Sequence, residues 1–202
     1  MRKRTIPVIA TFLVIIGLAG MGVTMVYLNT PALYTGDVEG TGTFRRMTTG
    51  NMDAMFIEQM IPHHDDAIAM AELALTRAEH PEIKQLAEDI KRTQTAENAQ
   101  MRGWYREWFD ADVPESGGAS GMMGRMMGGG VVDMKDLENA ELFDKTFIEQ
   151  MVPHHQMAIM MSQMAGSATG RPEMRELTQS IVKAQSTEIT KMQMWYDEWY
   201  GR

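Results

Sequence analysis

Apolar residues recur along this chain in two alternating rhythms. Phe56, Met60, His63, Ala67, Met70 and Ala74 step by fours and threes, the stripe of a helix packed on one side. The stepping resumes at Ile83 and runs through Leu86, Ile90, Gln94, Glu97, Met101, Trp104 and Trp108. Pro81 lies just ahead of it, at a position suited to the first turn of a new helix. The pattern predicts two helices with a turn near His80. Pro62 falls inside the first and removes one backbone hydrogen bond, so a kink is expected beside His63 and His64. A fresh start at Pro62 is disfavoured because Ile61 is a poor cap.

The same pattern returns 91 residues later. FIEQMIPHH at 56–64 becomes FIEQMVPHH at 147–155, and the offset also pairs Asp53 with Asp144, Pro81 with Pro172 and Leu86 with Leu177. It further pairs Gln94 with Gln185, Glu97 with Glu188, Met101 with Met192, and the Trp-Tyr and Glu-Trp pairs that end each copy. An ungapped match of this length is an internal duplication. Two duplicated hairpins predict an all-α fold, a four-helix bundle running up-down-up-down. The boundaries expected are a first hairpin over 51–110 and a second over 136–202. The Met/Gly-rich linker at 111–135, containing SGGASGMMGRMMGGG, has too many glycines for a regular helix. Residues 29–50, rich in Gly and Thr without periodicity, read as a tether.

Ahead of the tether, Arg2-Lys3-Arg4 precedes an uncharged run over 6–28. It meets the roughly 20 residues that a transmembrane helix needs and exceeds the core of most signal peptides. The positive flank puts the remainder of the chain outside the cytoplasm, whether residues 1–28 stay as a membrane anchor or are cleaved as a signal.

Composition narrows the chemistry. With no Cys, thiolate sites and disulfides are excluded. The net charge of −8 becomes −11 without the Arg2-Lys3-Arg4 run, which argues against nucleic-acid binding. Met is the outlier, at 22 of 202 residues, and together with His supplies the only soft or borderline metal ligands.

The hairpin register shows where those ligands meet. With a turn near His80, Met60 faces Met101, His63 and His64 face Glu97 and Asn98, and Ala67 faces Gln94. In the second copy Met151 faces Met192, while His154 and His155 face Glu188. Each hairpin thus gathers two thioethers, one or two imidazoles and a carboxylate on its inward stripe, and a buried carboxylate requires a partner. Whether both adjacent histidines ligate stays open, because neighbours on a helix point about 100° apart. Di-iron bundles use Glu-x-x-His; here Met60 and Met151 take the Glu position, which moves the preference from iron toward copper, above all Cu(I). Met122, Met123, Met126 and Met127 of the linker are auxiliary donors, and Met157, Met160, Met161 and Met164 add sulfur to the second copy. Trp104, Trp108, Trp195 and Trp199 are expected to close the apolar end of the bundle, with Asp53 and Asp144 facing them as caps or indole acceptors.

FIEQMIPHHDDAIAMAELAL and FIEQMVPHHQMAIMMSQM resemble the signature of the bacterial "domain of unknown function 305" family, over roughly residues 50–200. The resemblance implies a ferritin-like four-helix bundle, secreted or membrane-anchored, with some members binding copper in copper tolerance. It implies ligands at Met60, His63, His64, Met151, His154 and His155. Asp65-Asp66 become Gln156-Met157 in the second copy, so the two sites are expected to differ in affinity. The leading expectation is a non-enzymatic extracytoplasmic copper-binding protein for sequestration, tolerance or transfer, with a copper donor or acceptor protein and a homo-oligomer as compatible partners. The rivals are a dinuclear metal oxidase and a metal-free structural bundle.

Overall fold

A computed structural model describes residues 40–115 and 132–201, with side chains from Met52 onward. The apolar run 6–28 and the linker methionines Met122, Met123, Met126 and Met127 lie outside the described residues. Among the described residues no helix is long and apolar enough to cross a membrane.

Five helices and no strand occur among the described residues: α1 (Gly40–Arg77), α2 (Pro81–Phe109), α3 (Met134–Asn139), α4 (Phe143–Ala168) and α5 (Pro172–Tyr200). The all-helical expectation holds, and both hairpin turns fall where the prolines placed them. Pro81 and Pro172 each open a helix at its first turn. α1 runs unbroken through Pro62 and α4 through Pro153, so no new helix starts at either proline. α1 begins at Gly40, inside the stretch read as a tether. Extending a packed helix adds a hydrogen bond per residue with no new nucleus, which outweighs the poor propensity of Gly42 and Gly50.

The direction of the helices differs from expectation. Asp144, at the start of α4, hydrogen-bonds to Glu79 and His80, at the turn between α1 and α2. Asp53, toward the start of α1, pairs with Arg171, at the turn between α4 and α5. α4 therefore begins at the end where α1 finishes, and the order is up-down-down-up. The 29 residues of α2 span about 43 Å at 1.5 Å per residue. Residues 110–133 suffice to return the chain over that distance, at up to about 3.3 Å per residue. A connection this long does not force α4 to start beside the end of α2. The two hairpins are thus related by an approximate two-fold axis, with their turns at opposite ends.

α1 packs along α2 and α4, and α4 along α5, which makes α1 and α4 the central pair. Two apolar cores result. One joins Ala67, Met70, Ala74, Ile83 and Leu86 to Phe143, Phe147, Met151 and Met192, with Trp195 and Trp199 against it. The other joins Phe56, Met60, Met101 and Tyr105 to Ala158, Ala165, Met174 and Ile181, with Trp104 and Trp108 against it. The tryptophans do not share one end as the up-down-up-down order implies: the inverted second hairpin sets Trp195 and Trp199 against one core and Trp104 and Trp108 against the other. Each hydrophobic set avoids water at roughly 25 cal/mol per Å². Between the cores lies a polar layer.

Candidate metal centre

The layer is built at mid-height of α1 and α4 by the paired His-His sequences. His64, His154 and His155 are buried, and His63 is half-buried. The His63 and His154 rings, one from each copy, meet across the approximate two-fold axis with centroids 3.6 Å apart and their planes tilted by 32°. His64 Nε2 lies 2.9 Å from Glu97 Oε2, and His155 Nε2 lies 2.6 Å from Glu188 Oε2. The hairpin register predicted both pairs, because short turns and threes-and-fours stepping leave little freedom in what faces what.

The imidazoles are incompletely satisfied. Nδ1 of His63, His64 and His155, and both ring nitrogens of His154, are buried without a hydrogen-bond partner among the described residues. Leaving so many buried polar atoms unpaired is costly in a native core, where such groups are almost always bonded. A neutral imidazole that donates its Nε2–H to a carboxylate presents a bare lone pair at Nδ1, the arrangement in which a carboxylate orients a histidine toward a metal. Burial, then the neighbouring His64 and His155, pushes His63 down to about 3, against a smaller upward pull from the His154 carbonyl. Burial, followed by the surrounding histidines, likewise holds His154 well below the usual imidazole range. Both rings are therefore neutral at neutral pH, the form that ligates.

Met60, Met101, Met151 and Met192 are fully buried. Met60 and Met101 belong to one core and Met151 and Met192 to the other, so thioether pairs adjoin the imidazole layer from opposite sides. Among the described residues, no three His, Asp or Glu side chains converge into a group able to hold a metal ion. The soft donors that the layer and its borders offer are imidazole nitrogens and thioether sulfurs. Gln94 and Gln185 are also buried in this region with an unpaired Oε1 each, a polar contribution that the periodicity passed over as ordinary stripe positions. Asn98, expected opposite the histidines, instead donates to Asp65 at 2.8 Å.

The aspartates settle into a different role from the one expected. Asp144 accepts from the backbone N–H of Glu79 and His80 and pairs with His80 Nδ1 at 2.7 Å, while the His80 ring stacks on Trp199 at 3.6 Å. Asp53 pairs with Arg171 at 3.1 Å, and the Arg171 guanidinium lies 4.2 Å from the Trp108 ring centre. Each Asp–Trp pair of one hairpin thus receives the turn residue of the other. Burial raises Asp53, with Thr169 and Arg171 pulling the other way. These two corners clamp the hairpins together and hold the histidine layer in register.

The fold and site define a duplicated helical bundle with four imidazoles gathered between two apolar cores. The chain belongs to the DUF305 family, a domain of unknown function, which it matches over residues 53–196. Among solved structures it is similar to CopM. The Cu(I)-bound form of CopM is 46% identical, with 73% of this chain and 97% of that one covered and a TM-score of 0.65. The Cu(II)-bound form gives the same identity, coverage of 73% and 98%, and a TM-score of 0.64. A putative secreted DUF305 protein from Streptomyces coelicolor is 26% identical, covering 73% of this chain and 93% of that one, with a TM-score of 0.65. Uncharacterized protein L153 of Acanthamoeba polyphaga mimivirus is 38% identical over 55 residues, 27% of this chain and 36% of L153, so the match spans about a third of that protein.

Proposed function

We propose that this protein binds copper, as Cu(I) or Cu(II), at the layer between its two hairpins, and holds it for sequestration or transfer rather than turning over a substrate. The observation that carries the reading is the set of buried imidazole nitrogens without hydrogen-bond partners, beside fully buried thioethers. Copper is the cargo. Imidazole and thioether together suit copper better than hard ions, and thioethers favour its Cu(I) state. His63 and His154, one from each copy, offer nitrogens at the shared axis, with Met60, Met101, Met151 and Met192 as the sulfur donors on either side. Glu97 and Glu188 orient His64 and His155 instead of ligating. With both carboxylates of the layer engaged in this way, a storage or transfer role is favoured over a dinuclear oxidase, which uses four carboxylates. CopM, solved with Cu(I), Cu(II) and silver, supports the same reading. An extracytoplasmic location is proposed from the uncharged run 6–28 behind its basic flank.

The test is anaerobic Cu(I) titration of the full chain against a competing chelator. At least one equivalent should bind in the wild type, and His63→Ala with His154→Ala should abolish the layer's share. Copper should also raise the melting temperature, since a ligand selective for the folded state stabilises it. Unchanged copper uptake by the double variant would falsify the reading.

A further inference from the structure

Four methionines of α4 fall outside the layer just described. Met157, Met160, Met161 and Met164 are spaced i, i+3, i+4 and i+7, which at about 100° per residue puts them within a single arc of about 100°. Met157 and Met161 are half-buried, and Met161 packs against an apolar core. Met160 and Met164 are 39% and 51% exposed, two of the four exposed large apolar side chains among the described residues. That exposure sets aside core filling, the usual duty of a methionine on a helix, for this pair.

The duplication supplies an internal control. The matching positions of α1 are Asp66, Ala69, Met70 and Leu73, with Met70 fully buried. The fold therefore accepts Ala and Leu where α4 carries its two exposed thioethers. Charge differs in the same direction. Residues 150–170 contain no Asp, Glu, Lys or Arg, whereas the matching stretch 59–79 holds Asp65, Asp66, Glu72, Arg77 and Glu79. A neutral sulfur face without carboxylates has little to offer a hard divalent ion and suits a monovalent soft one. Side chains four apart on a helix have Cβ atoms about 5–6 Å apart, within reach for two flexible thioethers to close on one ion.

We infer that α4 carries a second, surface site for a soft monovalent ion, Cu(I) or Ag(I), held by Met160 and Met164 with Met157 and Met161 beside them. It extends the copper reading above but stands on different residues from the histidine layer. Its place about one and a half to two and a half turns beyond His155 on the same helix makes it an outer station for metal approaching or leaving the interior.

The test uses the full chain under anaerobic conditions with Ag(I) as the probe. Met160→Leu with Met164→Leu preserves volume and helix preference, so the fold should hold, which circular dichroism verifies. The variant should bind one equivalent less Ag(I) than the wild type, with Cu(II) uptake unchanged. In the wild type, the Met160 and Met164 methyl resonances should shift on adding Ag(I), and should still shift in the His63→Ala, His154→Ala variant. Equal Ag(I) uptake by wild type and Met variant, or methyl signals that stay still, overturns the surface site and leaves the histidine layer untouched. Shifts that vanish when the histidines are removed overturn its independence. A copper count unchanged by the histidine variant counts against the inner layer alone.

Discussion

The two hairpins share a nine-residue signature and a common register, yet their surroundings diverge. In the first copy His63 and His64 are followed by Asp65 and Asp66, both exposed; partial desolvation of the Asp66 carboxyl against the helix, then the charge of Asp65, raises it. In the second, His154 and His155 are followed by Gln156 and the methionine stripe. His63 is half-buried where His154 is only 2% exposed. One copy therefore meets solvent with carboxylates, the other with thioethers. Both copies keep the inward Met and His-His positions that build the shared layer, while their outward positions differ. The corners show the same split. His80 occupies in one corner the place that the permanently charged Arg171 holds in the other.

Acid should break the symmetry most severely. His63 and His154 both sit below the ordinary imidazole range when folded, so the unfolded chain binds more protons as pH falls below about 6.5. The stability they confer is present above that pH and is lost on the way down toward about 3, with a loss on the order of a few kcal/mol for the metal-free chain. Urea unfolding at a series of pH values from 7 to 4 measures it. A flat profile would show that the rings are not held neutral. His154→Asn should flatten the slope more than His63→Asn, because His154 is the less exposed.

The corners come next. Asp144→Ala strands two backbone donors and the His80 ring at once and should cost about 2–3 kcal/mol. Asp53→Ala loses an ion pair whose carboxyl is already penalised by burial, and should cost about 1 kcal/mol. Thermal denaturation of the two variants side by side reads the difference; equal losses would mean the corners are energetically equivalent.

A smaller contrast lies in the matched tyrosines. Tyr105 donates to Glu58 at 2.6 Å and Tyr196 to Glu149 at 2.7 Å, but Tyr105 is buried and Tyr196 only half-buried. Tyr105→Phe should cost about 1 kcal/mol and Tyr196→Phe about half that, by chemical denaturation. The mildest change is His80→Arg, which gives the first corner the residue of the second. A cation over Trp199 facing Asp144 should leave the stability within about 0.5 kcal/mol of wild type. A larger drop on thermal denaturation would show that the flat 3.6 Å imidazole stack itself is required.

Much of the site was legible in the residue pattern. The pairing of His64 with Glu97 and of His155 with Glu188, and the level of the four buried methionines, followed from helical stepping and two short turns. The tilted ring contact of His63 with His154 did not, because no periodicity within a hairpin says how two hairpins meet. The exchange of His80 and Arg171 between the Asp–Trp corners was hidden for the same reason. The register places Asp53 and Asp144 beside the tryptophans, but the group that fills each corner comes from the other copy.

The amino-acid order alone determined the helices, their duplication and the inward-facing chemistry of each hairpin, since helices joined by so short a turn have only one way to face each other. The antiparallel setting of the hairpins, and with it the four-imidazole layer and the exposed sulfur face of α4, was decided by tertiary packing. The long stretch between the copies permits either orientation, and burial of the two apolar cores selects the one in which each turn is capped by the other hairpin.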